Sequence, residues 1–91
     1  MSFTVSCIIN AYDRPDFLRQ AIASALAQTL PLHEVIVVDD CSPRDLAAVV
    51  APFGARVRHL RLAENRGLTA ARNAGIAAAS GDLVAFLDDD D

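Results

Sequence analysis

Short apolar blocks alternate along the chain with stretches whose apolar residues recur at helical spacing. Thr4 to Ala11 is mostly apolar through Val5, Cys7, Ile8 and Ile9, and predicts a first strand buried on both faces. In Tyr12-Asp13-Arg14-Pro15-Asp16, Pro15 suits the first turn of a helix and Asp16 its positive end. Phe17, Leu18, Ala21, Ile22, Ala25 and Leu26 follow at helical spacing, and Thr29-Leu30-Pro31 stops that helix. Val35 to Val38 predicts a second strand, ending in Asp39 and Asp40. Ser42-Pro43-Arg44-Asp45 predicts a helix start, with Ser42 as cap, Pro43 at the first helical position and Asp45 facing the helix N-terminus. Leu46, Val49, Val50 and Phe53 form its apolar face, and Gly54 ends it. Arg56 to Leu62 predicts a third strand whose arginines suit a sheet edge. Asn65-Arg66-Gly67 is a turn, and Leu68 to Ser80 an Ala-rich helix closed by Gly81. Gly75 inside that helix costs about 1 kcal/mol relative to Ala, which implies close packing of the helix on the sheet. Leu83 to Leu87 is the fourth strand, and it runs into Asp88-Asp89-Asp90-Asp91.

The order β-α-β-α-β-α-β predicts an α/β fold: a three-layer, Rossmann-like, mostly parallel sheet with right-handed crossovers. In such a sheet every strand's carboxyl end lies on one edge. Tyr12-Asp13, Asp39-Asp40 and the terminal acids therefore converge there, where open α/β sheets bind ligands.

Composition narrows the chemistry. At 91 residues the chain is one domain, and 53% hydrophobic against 22% charged residues makes it globular. The net charge of -4 comes entirely from the last four Asp, which leave eight acidic residues against eight basic ones, all Arg. No basic stripe suggests nucleic acid. Cys7 and Cys41 have neither metal nor redox spacing and read as free thiols. The apolar runs fall far short of the ~18 residues a membrane span needs. The N-terminal residues do not read as a secretory signal, so a cytoplasmic protein is the expectation.

Adjacent carboxylates repel one another, and a hard divalent cation, Mg²⁺ or Mn²⁺, relieves that repulsion while bridging to phosphate oxygens. No Gly-rich phosphate loop is present, and no Ser/His/Asp or Cys/His set suggests a nucleophile. His33 and His59 read as structural. A carboxylate at a strand end such as Asp39 can accept from an imide N–H, as in uracil, or one of the Asp39-Asp40 pair can cap the following helix. Arg72 can donate to a carbonyl or phosphate or lie on the surface, and Tyr12 can stack on a base or be a partly buried aromatic.

The segments from Val5 to Arg14, Glu34 to Ser42 and Asn65 to Gly75, with Gly81-Asp82 and Phe86-Leu87-Asp88-Asp89-Asp90-Asp91, resemble the family 2 glycosyltransferases over essentially the whole chain. The last segment resembles the DxD motif. The resemblance implies the nucleotide-sugar-binding half of a GT-A domain over residues 1–91, with strand order 3-2-1-4. It implies that Asp39 recognises the base of a nucleotide-sugar, usually uracil, that Arg72 helps hold the nucleotide, and that Tyr12 packs near the base. Asp88 and Asp89 would lie by the ribose and phosphates, and Asp90 would be the metal ligand in the register Asp88-x-Asp90. The implied reaction is inverting sugar transfer from a nucleoside diphosphate sugar, UDP-linked by preference, with Mn²⁺ or Mg²⁺ stabilising the leaving diphosphate. Such enzymes continue past DxD into an acceptor half that carries the catalytic base, so a truncated, inactive donor half is expected here. Its fourth strand would be left open to self-association. Where the family usually has Pro-Thr-Tyr-Asn, this chain has Asn10-Ala11-Tyr12-Asp13. A non-catalytic Mg²⁺- or phosphate-binding module resembling a receiver domain is the alternative. A receiver would want a Lys at a later strand end, and the chain has no Lys.

Overall fold

The computed structural model describes residues 3–27, 33–43 and 46–88. Four parallel strands form its sheet: β1 (Val5–Ala11), β2 (Glu34–Asp39), β3 (Val57–Arg61) and β4 (Leu83–Asp88), in the order β3-β2-β1-β4. Helices α1 (Pro15–Leu26), α2 (Ala47–Val50) and α3 (Leu68–Ala78) link them. The expected topology and strand order are thus observed.

The alternation of side chains along each strand divides the core in two. Cys7, Ile9, Val35, Val37 and Val57 pack with Leu18, Ile22, Leu46 and Val50 on the α1/α2 side. Ile8, Ile36 and Val38 pack with Ala71 under α3. These are the three expected layers. Strands β1 and β2 are covered on both faces, which explains their unbroken apolar sequence.

Gly75 sets how closely α3 approaches. A Cβ there would stand 2.6 Å from Ile8 Cγ2 and 3.2 Å from Val38 Cγ2. Only a residue without a side chain lets the helix lie this close to the sheet.

Three local expectations are corrected. The second helix neither starts at Ser42 nor runs to Gly54: only Ala47–Val50 is α-helical, followed by a 3-10 stretch, Ala51–Arg56. Pro52 supplies no N–H to the helical ladder, which breaks there. Gly54, at φ 76°, turns the chain into β3. Ser42 does not cap a helix, because its N–H and hydroxyl are committed to Asp39; Arg44 and Asp45 lie outside the described residues. Finally, α3 ends at Ala78 rather than Ser80. The Ser80 N–H and hydroxyl instead serve Glu34.

That carboxylate anchors the amino edge of the sheet. Glu34 Oε2 accepts from Ser6 Oγ at 2.8 Å and from the Ser80 N–H at 2.7 Å, and Arg58 Nη1 donates to Oε1 at 3.1 Å. Burial pushes the Glu34 pKa up. The Ser80 backbone bond, the Ser6 hydroxyl, Arg58 and the Ser80 hydroxyl more than offset it and bring it down to about 2. Arg58 Nη1 also donates to Ala78 O, tying the end of α3 to the same cluster. His33 Nε2 lies 2.9 Å from Ser80 Oγ.

Candidate functional site at the carboxyl edge

All strands being parallel, their carboxyl ends share one edge. Ala11 pairs with Asp39, Asn10 with Asp88, and Asp39 with Arg61. The ends of β1, β2 and β4 thus stand side by side, with β3 beyond β2. Alternation then sorts the groups by face. Asp39, His59 and Arg61 lie on the α1/α2 side with Val37 and Val57. Asn10 lies on the α3 side with Ile8 and Val38.

Asp39 is fully buried. Its Oδ1 accepts from the Ser42 N–H at 2.8 Å and from the Ser42 hydroxyl. This return is possible because Cys41 adopts a left-handed backbone, φ 57°. Ser42 Oγ in turn accepts from the Asp13 N–H at 2.8 Å, joining the loop after β1 to the loop after β2. Asp13 is also left-handed, at φ 49°. Among the described residues, these two non-glycine residues with positive φ lie in the loops just after β1 and β2. Asp39 Oδ2 has no hydrogen-bond partner. It faces His59 Nε2 at 3.7 Å, and that nitrogen is also buried without a partner.

Asp40 turns the opposite way. Its two oxygens accept from the Arg66 N–H at 2.9 Å and the Gly67 N–H at 3.1 Å. It therefore holds the loop leading into α3 instead of capping the helix that follows it in sequence.

Arg72 lies one turn before Gly75 on α3, toward the carboxyl edge. Its guanidinium carbon sits 5.5 Å from the centre of the Phe86 ring on β4, and its Nε is buried without a hydrogen-bond partner. A cation over an aromatic face gains about 0.5–1 kcal/mol, which steadies Arg72 while its Nε keeps a donor unspent. Asn10 is buried with both amide atoms unpartnered. Tyr12 is half-exposed just past β1.

The structure thus brings Tyr12, Asp39 and Arg72 to one edge, together with the backbone of Asp88, the last residue of β4. Asp89 and Asp90, expected at the ribose and phosphates and at the metal, lie with Asp91 outside the described residues. The donor chemistry suits Mg²⁺ or Mn²⁺, since the run beginning at Asp88 offers only carboxylate oxygens. Among the described residues, no cluster of three or more His, Cys, Asp or Glu side chains forms a metal site.

Sequence reasoning took Ser42 for a helix cap and missed its hold on Asp39, the approach of His59 to Asp39, and the hold of Asp40 on the loop before α3. Nothing at residue 59 but its parity with Val57 on the third strand signalled that it would face Asp39. Cys7 is buried, and burial pushes its thiol pKa up, in keeping with an inert thiol. No described helix is long and apolar enough to cross a membrane.

Comparison with known proteins bears on the family and the fold. The model of the family described as Glycosyl transferase family 2 matches residues 6–91. The succinoglycan biosynthesis protein ExoO of Rhizobium meliloti (strain 1021) is 49% identical over 88 residues, which are 96% of this chain and 25% of that protein. The putative teichuronic acid biosynthesis glycosyltransferase TuaG of Bacillus subtilis (strain 168) is 39% identical over 90 residues, or 96% of this chain and 36% of that protein. The chain therefore spans about a quarter to a third of these relatives. Among solved structures, S. aureus TarS 1-349 in complex with UDP-GlcNAc superposes with TM-score 0.85 at 28% identity, over 96% of this chain and 26% of that one. The mannosyltransferase PcManGT from Pyrobaculum calidifontis, in complex with GDP-Man and Mn²⁺, shares the fold with TM-score 0.87 at 24% identity, over 99% of this chain and 28% of that one. The sheet and helices are those of a GT-A glycosyltransferase. On the family match, the chain belongs to glycosyl transferase family 2.

Proposed function

We propose that residues 1–91 are the donor-binding part of an inverting glycosyltransferase that takes a nucleoside diphosphate sugar, UDP-linked by preference, with Mn²⁺ or Mg²⁺. The observation that carries this reading is that two polar groups are left unspent toward the carboxyl edge, one at the end of β2 and one on α3. Asp39 Oδ2 and Arg72 Nε are both buried and unpartnered there. A buried polar group without a partner costs about 1–3 kcal/mol, and a bound nucleotide offers partners to both.

In this reading Asp39 Oδ2 accepts the imide N–H of the base while Ser42 holds Oδ1 in place. Tyr12 packs against the base. Arg72, seated on Phe86, donates to a base carbonyl or a phosphate. Asp40 fixes the loop that delivers α3 and hence Arg72. Asp88 and Asp89 would lie by the ribose and phosphates, and Asp90 would hold the cation. When bound, the cation offsets the charge that develops on the departing diphosphate. The acceptor hydroxyl attacks the anomeric carbon from the face opposite the diphosphate, and a carboxylate base removes its proton. In this reading residues 1–91 supply the donor side, and neither the acceptor site nor that base is assigned to them.

The test is calorimetric titration with UDP, with Mn²⁺ or with EDTA, on the wild type and on Asp39→Asn. The variant keeps the Ser42 contacts and loses the charge. A hydrogen bond to a charged group contributes about 1.5–3 kcal/mol, so UDP affinity should fall about 10- to 150-fold while Mn²⁺ affinity holds. Unchanged UDP affinity in Asp39→Asn would leave Asp39 as a purely structural residue. Equal heats with Mn²⁺ and EDTA would remove the cation from the reading.

A further inference from the structure

Asn10 is not among the groups assigned above, yet the carboxyl edge leaves both ends of its amide unspent. The residue is 7% exposed, and its Oδ1 and Nδ2 are both buried without a hydrogen-bond partner. The register places it one residue from the end of β1, between Val38 of β2 and the backbone of Asp88 on β4. Alternation turns it to the α3 side, like Ile8 two residues before. Helix α3 runs back along the sheet, from Gly67 bound to Asp40 at the carboxyl edge to Ala78 bound to Arg58 at the amino edge. Gly75 rests on Ile8 and Val38. One turn earlier, about 6 Å along the helix, Ala71 and Arg72 come level with Asn10, which lies about 6–7 Å beyond Ile8 along the strand. An apolar side chain here would pack beside Val38 and Ala71 with no polar atom left over. An unpartnered amide destabilises the free protein, so packing does not account for Asn10.

We propose that Asn10 is a specificity-determining residue of the donor site: its amide reads the exocyclic group of a pyrimidine base on the nucleotide. This rests on the reading of the carboxyl edge as a nucleotide site and takes nothing from Asp39, which lies on the opposite face of the sheet. Tyr12, two residues on, packs against the same base. A rotamer change carries the Asn10 amide toward the strand end, one residue away. Uracil has a carbonyl oxygen where cytosine has an amino group. Nδ2 donates to the carbonyl, and the amide turned over offers Oδ1 to the amino group. A carboxylate at this position only accepts, so it takes the amino group and repels the carbonyl.

The test measures UDP and CDP affinity by calorimetry with Mn²⁺ at about pH 8, where a carboxylate is ionised, in the wild type, Asn10→Asp and Asn10→Leu. The two ligands share the diphosphate, so the charge added by Asn10→Asp cancels in the ratio of UDP to CDP affinity. That ratio should fall at least about tenfold in Asn10→Asp, because a hydrogen bond gives way to two facing acceptors. In Asn10→Leu both affinities should fall by similar factors, while the urea midpoint without nucleotide should rise because the unpartnered amide is gone. An unchanged ratio in Asn10→Asp overturns the role of Asn10 alone. So does a lower urea midpoint in Asn10→Leu, which would make the amide a structural group. A wild-type protein that binds neither nucleotide overturns the nucleotide reading of this edge, and this proposal with it.

Discussion

Replacing Gly75 with Ala tests whether the seat of α3 is set by a missing methyl group. Two effects oppose one another. Ala is the better helix former by about 1 kcal/mol. Against that, the new Cβ would stand 2.6 Å from Ile8 Cγ2, 3.0 Å from Ile8 Cδ1 and 3.2 Å from Val38 Cγ2. Ile8 and Val38 are fully buried and belong to strands covered on both sides, so neither can swing into solvent. Overpacking of this kind typically costs about 1–3 kcal/mol. Part of that offsets the helix gain, so a net loss of about 1 kcal/mol is expected, or a Tm lower by about 4–8 °C for a chain of this size. Urea unfolding should show a lower midpoint at unchanged slope. Ile8→Ala removes both contacting Ile8 carbons, so the double variant should lose less than the sum of the two single losses. Arg72 rides on the same helix, and a lifted α3 should also weaken UDP binding. A Gly75→Ala protein as stable as the wild type would refute the reasoning.

Three further outcomes are expected. Glu34 has its pKa lowered from 4.5 to about 2, so its stabilisation is fully present above about pH 4.5 and disappears as pH falls through 2. That drop is at most roughly 3 kcal/mol, nearer 1–2 after screening at the sheet edge, and urea midpoints from pH 7 to 2 should fall less steeply in Glu34→Gln than in the wild type. Asp40→Ala frees the Arg66 and Gly67 N–H groups; UDP affinity should drop several-fold with Mn²⁺ affinity unchanged, and equal calorimetric constants would dissociate that loop from the site. Among the described residues, the edge strand β4 pairs only with β1, and it exposes Leu83, Val84 and Phe86. We expect two copies to pair through it antiparallel, which separates their acidic ends, with association rising with salt. Light scattering should show Val84→Lys lowering that association, and a strict monomer at high concentration argues against it.

Strands β1, β2 and β4 were legible as largely apolar runs and β3 as an arginine-bearing edge strand, while their order followed from the resemblance to the family 2 glycosyltransferases. The close approach at Gly75 was legible because a glycine inside an Ala-rich helix has little other use. The second helix was not, because Ser42-Pro43 carries the composition of a cap while Ser42 is claimed by a carboxylate three residues earlier, a contact set by the left-handed turn at Cys41. Asp40 looked like a helix cap for the same reason: composition does not say which helix a carboxylate serves, and the sheet brings the loop before α3 to it. His59 was read as structural because it lies within a strand. Only the register of β2 against β3 reveals that it faces Asp39.

The most direct test of the account is to map where a nucleotide touches the protein. Backbone amide shifts are recorded by NMR during titration with UDP in the presence of Mg²⁺, which unlike Mn²⁺ leaves the signals sharp. The account predicts saturable shifts confined to residues 10–13, 39–42, 66–72 and 86–88, with the amino edge around Ser6, Glu34 and Ser80 unmoved. Shifts centred on that opposite edge, or none at saturating UDP, would contradict it.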